Sequence, residues 1–337
     1  MRPRLSDIAR IAGVSEATVS RVINGKPGVA EPTRRLVLDA LSDVGYADVP
    51  SRPHHTGLVG ILTPELDNPI FATLAQSIEA KLARHHYVSV ICPSTAETIN
   101  EQDYLDHLVQ SRAAGAVIVN GRYAGVGIGY EPYTALVERG MRVVLVNAVT
   151  PPAPVPSVSV DITAGAALGT RHLVTLSHRH IGCLVGPLRY TTAVDFAEGW
   201  RRAMRAHDLE APDELLSETL FTVEGGQAGT ARLLKAGVTG IVAASDLMAL
   251  GAVRAVRSWG ATVPGDVSVV GFDGTALATM TDPPLTTVRQ PIEQLATAAS
   301  TLFAAPPTAD TAIPTQIFAP DLVVGASTGP VRITVEV

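Results

Sequence analysis

The side chains best suited to a defined chemistry lie together in residues 15–24 of the sequence. Arg21 carries a planar guanidinium that can donate two hydrogen bonds to guanine O6 and N7, and the methyl group of Ala17 can pack against a thymine methyl. The short polar side chains around them suit phosphate oxygens. This combination indicates contact with double-stranded DNA. The predicted contact residues are Ser15, Glu16, Ala17, Thr18, Ser20, Arg21 and Asn24.

No comparable arrangement supports catalysis or metal binding. The pair of imidazoles in residues 178–180 has no neighbouring carboxylate, so we expect a solvated loop. The glycine-rich segment 125–129 matches no phosphate-binding spacing and is expected to be a flexible loop. Cys92 and Cys183 lie in separate apolar runs, which is typical of buried, reduced core residues in a cytoplasmic protein. We therefore predict no enzymatic activity, no metal and no cofactor.

The segment that carries Arg21 is predicted to be the second of three short helices. Apolar residues at positions 5, 8, 9 and 12 follow the helical period, and Gly13-Val14-Ser15 then breaks it with a left-handed turn and an N-cap. The second helix spans about 16–23 and the third about 31–44. This is the helix-turn-helix design, whose second helix enters the major groove, although a plain three-helix bundle would share the pattern. We assign residues 1–46 to a DNA-binding head.

Residues 47–57 are predicted to be a linker. The sequence ADVPSRPHHTG has no helical period, and Pro50 and Pro53 disfavour a helix. Either Arg52 reaches an adjacent minor groove as part of an extended arm, or the segment is a spacer without a role on DNA.

From residue 58 onward, strand-like apolar runs alternate with amphipathic helical segments. Continuous Val and Ile runs indicate parallel strands that are covered on both faces, and their number predicts two similar α/β subdomains with a ligand cleft at the carboxyl ends of the strands. The proline-rich stretch 151–156 is expected to cross between the subdomains. The predicted strands lie at 58–64, 87–94, 115–121, 142–148, 181–187, 240–246 and 267–274.

Composition excludes several classes of protein. A length of 337 residues suggests two or three domains, and 46% hydrophobic with 17% charged residues excludes a disordered chain. No apolar run approaches the ~20 residues of a membrane span, and MRPRLSDIAR lacks the apolar core of a secretory signal. These features exclude an integral membrane protein and argue against a solute-binding protein that serves a transporter.

The net charge of −6 is unevenly distributed. Residues 1–56 contain 8 Lys and Arg against 6 Asp and Glu, which gives +2, and the remaining residues contain 18 against 26, which gives −8. A slightly basic head on an acidic body favours a nucleic-acid-binding module joined to a domain of another function.

Four segments closely resemble the LacI/GalR family of transcription regulators. The head resembles the family's DNA-binding domain, and the resemblance continues through the body to cover essentially the whole chain. The segments are LSDIARIAGVSEATVSRVINGKPGVAEPTRRLVLDALSDVGY, LVGILTPELDNPIF, TRHLVTLSHRHIGCLVGP and GIVAASDLMALGAVRAVRSWGATVPGDVSVVGFDGTALATMTDPPLTTVRQP.

The resemblance implies a dimeric, ligand-responsive repressor of a near-palindromic operator, with a periplasmic-binding-protein-like body of residues 58–337. It divides that body into an N-subdomain of about 58–159 with 289–318 and a C-subdomain of about 160–288 with 319–330. It also implies an effector site in the cleft, and Trp200 is expected to lie in the core. The effector contacts carried over are Asp67, Asn68, Phe71, Phe196, Phe221, Ser245, Asp246, Asp273 and Gln290.

Two departures from the family pattern bear on function. Phe196 occupies the position where the family commonly has an effector-gripping arginine, so it is expected to extend a surface on which a sugar ring stacks, and Arg189 or Arg201 is a candidate substitute. The linker is about four residues shorter than usual. LFTVEGGQ and TDPPLTTVRQP, with that linker, are most similar to the maltose and maltodextrin regulators of high-GC Gram-positive bacteria, which implies a neutral glucose-containing effector. A purine is the alternative.

Overall fold

A computed structural model describes most of the chain. The described residues are 5–23, 26, 28–43, 56–94, 99–148, 150, 152–305 and 313–331. Two of the predicted DNA contacts, Asn24 and Arg52, lie outside them, as do residues 47–55 of the predicted linker. The chain divides into a small unit of residues 1–57 with 86–88 and a large unit with the remainder.

Helices and strands alternate along the described body, after three helices in the head. The helices are α1 (Leu5–Ala12), α2 (Glu16–Ile23), α3 (Glu31–Asp43), α4 (Pro69–Arg84), α5 (Glu101–Gln110), α6 (Glu131–Glu138), α7 (Ile162–Thr175), α8 (Thr191–Arg205), α9 (Val223–Lys235), α10 (Asp246–Ser258), α11 (Ala276–Met280) and α12 (Ile292–Ala304). The strands are β1 (Gly57–Thr63), β2 (Tyr87–Pro93), β3 (Gly115–Val119), β4 (Arg142–Val146), β5 (Ser157–Val160), β6 (Ile181–Val185), β7 (Leu216–Glu218), β8 (Gly240–Ala243), β9 (Ser268–Asp273), β10 (Thr286–Arg289), β11 (Thr315–Phe318) and β12 (Asp321–Val323).

The three helices of the head pack around one small apolar core. Gly13, with φ of 65°, follows the end of α1. The Ser15 hydroxyl then accepts a hydrogen bond from the Thr18 amide at 3.2 Å, so the predicted N-cap of α2 is confirmed. This turn lets α1 and α2 present their apolar faces to α3. The fully buried residues of this core are Ile8, Val19, Val22, Val37 and Leu41.

The body contains two six-stranded sheets. The order is β11-β5-β4-β3-β1-β2 in the first sheet and β12-β10-β9-β8-β6-β7 in the second. In the second sheet β12 pairs antiparallel with β10, and the other pairs are parallel. All five residues of β3 are buried, as expected where helices cover both faces of a parallel sheet. The predicted fold class, a helix-turn-helix head with two doubly wound α/β subdomains, is confirmed.

The chain passes between the two sheets three times, after β5, after β10 and after β11. The helix that follows β10, α12, packs against α4 and β4 of the first sheet. The prediction that residues 151–156 cross between subdomains is wrong. They connect β4 to β5 within one sheet, where Leu145 lies opposite Ser157, and the crossing follows Val160.

His178 is buried, so the prediction of a solvated loop at residues 178–180 is wrong for this residue. Its side chain is 1% exposed. Nδ1 lies 3.0 Å from the Thr239 hydroxyl, and Nε2 lies 3.0 Å from both the Ser268 hydroxyl and the Gly329 carbonyl oxygen. Polar groups from three separate segments thus replace water around the ring, and the ring joins those segments.

We expect His178 to make the stability of the fold depend on pH. Burial lowers the pKa of His178 below its usual value near 6.5. The unfolded chain therefore binds more protons than the folded chain as the pH falls through that region, and the free energy of unfolding declines. Between pH 7.5 and 5, Tm should decline more steeply in the wild type than in His178→Gln. His172, whose pKa is also lowered by burial, remains in both proteins, and equal slopes would contradict this role of His178.

Candidate functional site

A cavity of about 890 Å³ lies between the two sheets of the body. Residues at or just after the carboxyl ends of β1, β3, β6, β8 and β9 form its walls. The carboxyl ends of parallel strands are where this class of fold leaves room for a ligand, and the volume is in the range of small-molecule sites.

Eight of the nine predicted effector contacts line this one cavity. They come from distant parts of the sequence that the two sheets bring together. Two of them also begin helices, since the Asn68 side chain accepts from the Ile70 amide at 3.4 Å and the Ser245 hydroxyl accepts from the Met248 amide at 3.1 Å. The eight are Asp67, Asn68, Phe71, Phe196, Phe221, Ser245, Asp273 and Gln290.

Asp246 is the exception, and its predicted role as a direct contact is corrected. It is 1% exposed and does not line the cavity. One carboxylate oxygen accepts from the Thr287 hydroxyl at 2.6 Å, and the other accepts from the Thr275 amide and hydroxyl at 2.8 and 2.9 Å. Both carboxylate oxygens are thus engaged within the protein, and they tie Asp246 to β10 and to the start of α11.

Asp273 is a buried acidic group in the cavity wall. Its backbone has φ of 111°, an uncommon conformation for a residue with a side chain. Gln290 donates from Nε2 to the Asp273 carboxylate at 2.8 Å, and Asn147 donates from Nδ2 to Gln290 Oε1 at 3.3 Å. The Asn147 side chain also accepts from the Val160 amide at 3.1 Å. This chain of bonds links the two subdomains beside two of the crossings.

The environment of Asp273 disfavours its charged form when the cleft holds no ligand. The carboxyl is 5% exposed, and burial, followed by the nearby charge of Asp246, raises its pKa well above the usual value. Burial also raises the pKa of Asp246, while its bonds from Thr287 and Thr275 oppose the shift. A ligand with hydroxyl donors would supply the hydrogen bonds that a buried carboxylate needs.

The aromatic residues of the cleft differ in how far they can reach a ligand. Phe196 is 1% exposed and packs edge-to-face on Phe272 with ring centroids 5.5 Å apart. The expectation that Phe196 extends the stacking surface is therefore corrected, because almost none of its ring is exposed. Phe221 is half-buried and covers Gly186, where an added Cβ would lie only 2.1 Å from the ring. Phe71 is half-buried in the same cavity, so Phe71 and Phe221 both offer an aromatic face to a ring stacked in the cleft.

Two arginines line the cavity although position 196 holds none. They are Arg122 and Arg189, both exposed. Arg201, the other candidate substitute, pairs instead with Asp213 at 3.4 Å and does not line the cavity.

Glu101 is a second buried acidic residue in the cavity wall. Its carboxylate accepts from the Tyr133 hydroxyl at 2.5 Å and from the Arg122 amide at 2.9 Å, and burial raises its pKa.

Sequence reasoning missed several lining residues, among them Thr63, Asn120 and Asn147. Each follows or ends a buried strand, β1, β3 or β4, so polarity directly after an apolar run could have identified them. The Thr63 hydroxyl and the Asn120 side-chain oxygen have no hydrogen-bond partner within the described residues.

The predicted DNA contacts that can be placed lie at the start of α2 and along it. Ser15, Glu16, Ala17 and Arg21 are exposed, whereas Thr18 and Ser20 are half-buried. The Ser15 and Thr18 hydroxyls lie 2.9 Å apart. Because Val19 and Val22 are buried, the polar face of α2 points to solvent, as a helix that reads a groove requires.

Two further features concern metal binding and membrane insertion. Among the residues that the structure describes, no group of three or more His, Cys, Asp or Glu side chains could hold a metal ion. None of the described helices is long and apolar enough to cross a membrane. Cys92 and Cys183 are both free and buried, which raises the pKa of the Cys92 thiol to about 11.

Comparison with known proteins finds a matching family for the head and another for much of the body. Residues 4–48 match bacterial regulatory proteins of the lacI family, and residues 170–328 match a periplasmic binding protein-like domain. The HTH-type transcriptional regulator MalR of Streptomyces coelicolor is 44% identical over 89% of this chain and 88% of its own.

Two solved structures are similar over nearly the whole chain. A complex of the transcriptional regulator CelR with cellobiose is 30% identical, with a TM-score of 0.70, and the match covers 97% of this chain and 100% of that one. The Lac repressor dimer bound to operator and the anti-inducer ONPF is 26% identical, with a TM-score of 0.78, and the match covers 98% and 100%.

Proposed function

Because the chain belongs to the LacI family of transcriptional regulators, which are not enzymes, we propose that a neutral, glucose-containing sugar controls its affinity for operator DNA. Maltose or a maltodextrin is the proposed effector. The observation that carries this proposal is the cleft itself, where a buried carboxyl, amides and an aromatic face converge on one cavity. The DNA lies in the cytoplasm of the cell, and we place the protein there.

The chemistry of the cleft favours a polyhydroxyl ligand. The Asp273 carboxylate can accept hydrogen bonds from two neighbouring hydroxyls, and the Gln290 amide can orient it while doing so. The Phe221 ring can cover the apolar C–H face of a pyranose. The similar CelR structure is a complex with cellobiose, a disaccharide of glucose, which supports the same class of effector here.

A dianionic effector such as a sugar phosphate suits the cleft less well. Two buried carboxyls, Asp273 and Glu101, line it, and position 196 holds phenylalanine in place of the family's arginine. Arg122 and Arg189 are exposed in the cavity wall, and neither contacts Asp273. Burial of an anion without a paired cation is costly, so we favour a neutral ligand.

The head supplies the DNA-binding half of the proposed function. We propose that Arg21 and Ala17 contact base edges in the major groove, with Thr18 and Ser20 near phosphates and with Ser15 and Glu16 at the helix start. Asn24 and Arg52 complete the proposed set. A sugar changes operator affinity only if it binds the DNA-competent and DNA-incompetent arrangements of the body unequally.

We expect the protein to be a homodimer with two-fold symmetry on a near-palindromic operator. Val90 and Ile91 are 46% and 39% exposed on β2, an edge strand of the first sheet. Exposed apolar side chains on an edge strand are typical of an interface. Light scattering at micromolar concentration should give twice the chain mass of 35.2 kDa, and Val90→Glu should shift it towards the monomer. A wild-type monomer or tetramer would contradict the expectation.

Ligand-dependent thermal stability of the full-length protein tests the effector class. Maltose and maltotriose should raise Tm, because a ligand at 100 times its Kd stabilises the folded state by about 2.7 kcal/mol. Glucose 6-phosphate, adenine and guanine serve as comparison ligands. If a purine or a sugar phosphate raises Tm and the maltose series does not, the proposed effector is wrong.

A further inference from the structure

The glycine-rich segment 125–129 forms part of the cleft wall rather than a free loop. Val126 and Ile128 are 55% and 48% exposed, and both line the cavity. The Val126 amide donates to the Arg189 carbonyl at 2.8 Å, and Gly125 forms a backbone bridge with Tyr190. A segment of the first subdomain is thus bonded to the second subdomain across the mouth of the cleft.

Arg189 and Tyr190 of the second subdomain meet this segment. The Tyr190 ring packs against the apolar core of the first subdomain that includes Tyr123. The Arg189 guanidinium carbon lies 4.8 Å from the centroid of the Tyr190 ring, within the range of a cation–π contact. One Arg189 nitrogen donates to the Tyr190 hydroxyl at 3.4 Å, and because Arg189 is exposed and lines the cavity, its other N–H groups are available to a ligand.

The glycines of the segment set the positions of its two apolar side chains. A Cβ at Gly125 would lie 2.7 Å from Ile128 Cγ1, and Gly127 has φ of 76°, a conformation that favours glycine. The alternation of glycine with Val126 and Ile128 consequently lets the backbone fold tightly while both aliphatic side chains face the cavity.

We propose that Val126, Ile128, Arg189 and Tyr190 form an outer subsite that binds a second pyranose ring of a neutral gluco-oligosaccharide. The inference rests on the proposed function, in which the first ring occupies the polar end of the cleft beside Asp273 and Gln290. Aliphatic side chains cover the C–H face of the outer ring, and the guanidinium of Arg189 donates to its hydroxyls. A cavity of about 890 Å³ accommodates such a ligand, whereas one ring would leave much of it to water.

The outer subsite also gives the effector a way to act on both subdomains at once. A ring bound there contacts a wall to which each subdomain contributes, so it favours the arrangement in which the mouth is bridged. A monosaccharide held only at the polar end lacks those contacts. The two kinds of ligand therefore differ in affinity through residues that are remote from Asp273.

Calorimetry on the full-length protein with glucose, maltose and maltotriose tests the subsite. The wild type should bind maltose more tightly than glucose. Replacing Val126→Ser and Ile128→Ser together should weaken maltose binding about tenfold, equivalent to 1.4 kcal/mol, and leave glucose binding unchanged. The matched control is Val137→Ser, since Val137 is 45% exposed on α6 and does not line the cavity.

The possible results distinguish an error in the subsite from an error in the proposed function. If the wild type binds maltose and the serine pair binds it equally well, the subsite is wrong and the sugar effector stands. If the wild type binds none of the three sugars, both are wrong. If the serine pair lowers Tm, the milder pair Val126→Ala with Ile128→Ala replaces it, and the same loss confined to maltose and maltotriose is expected.

Discussion

Replacing Asp273 by asparagine should abolish the response to the effector while operator binding persists. The carboxylate is proposed to accept hydrogen bonds from two neighbouring hydroxyls, and an amide of the same shape offers only one acceptor. Hydrogen bonds to a charged group contribute about 1.5–3 kcal/mol each, so we expect a loss of roughly 3 kcal/mol, or about 100-fold in Kd. Calorimetry with maltose measures it.

We expect Asp273→Asn to lose maltose affinity without losing stability. Burial and the nearby Asp246 already raise its pKa, so a neutral asparagine should not lower Tm. Asp213→Asn is the matched control, because the Asp213 side chain is 96% exposed and does not line the cavity. If Asp273→Asn binds maltose with wild-type affinity, the placement of the effector at Asp273 is wrong.

Replacing Arg21 by alanine should weaken operator binding by about 1–3 kcal/mol for each half-site and relax the choice of base at one position of that half-site. The physical reason is the loss of a two-bond contact from an exposed guanidinium on α2 to a guanine. Fluorescence anisotropy with operator variants at fixed salt concentration measures both effects.

Arg35→Ala provides a charge-matched control for this change. Arg35 is exposed on α3 and is not among the predicted base contacts. Its loss should lower affinity slightly and uniformly across sequences, as expected for a charge that acts only at long range. Wild-type affinity together with wild-type base preference in Arg21→Ala would show that Arg21 does not read a base.

The sequence predicted those parts of the fold in which local pattern and packing agree. In the head, the apolar residues of α1 and α2 repeat at helical spacing, and the turn contains Gly13 and Ser15, so both boundaries follow from local chemistry. In the body, β3 and β9 are buried along their whole length, and their apolar runs, GAVIV and VVGF, are unbroken.

Two of the strands that the sequence did not predict lack that agreement. β7 has only three residues, and β11, with the sequence TQIF, is mostly exposed at the edge of its sheet. Their hydrogen bonds come from neighbouring strands that are distant in sequence. Nothing in such short polar segments distinguishes a strand from a loop.

In the site, too, the predictions failed where contacts with distant residues decide the arrangement. The resemblance placed Asp246 beside Ser245 in the cleft, but successive residues at the start of a helix point in different directions, and Asp246 faces Thr275 and Thr287 instead. The role of residues 125–129 depends on pairing with Arg189 and Tyr190, far along the chain, so their own composition indicated only a loop.

Operator binding by the full-length protein with and without a maltose-series sugar tests the central proposal most directly. The DNA is a near-palindromic site selected by the protein itself from random sequence, and anisotropy is recorded at fixed salt concentration. Maltose or maltotriose should change the operator Kd about 5–150-fold, the range of typical coupling free energies, and Asp273→Asn should eliminate that change. An operator Kd that no maltose-series sugar alters, but that a purine or a sugar phosphate does, would contradict the proposal.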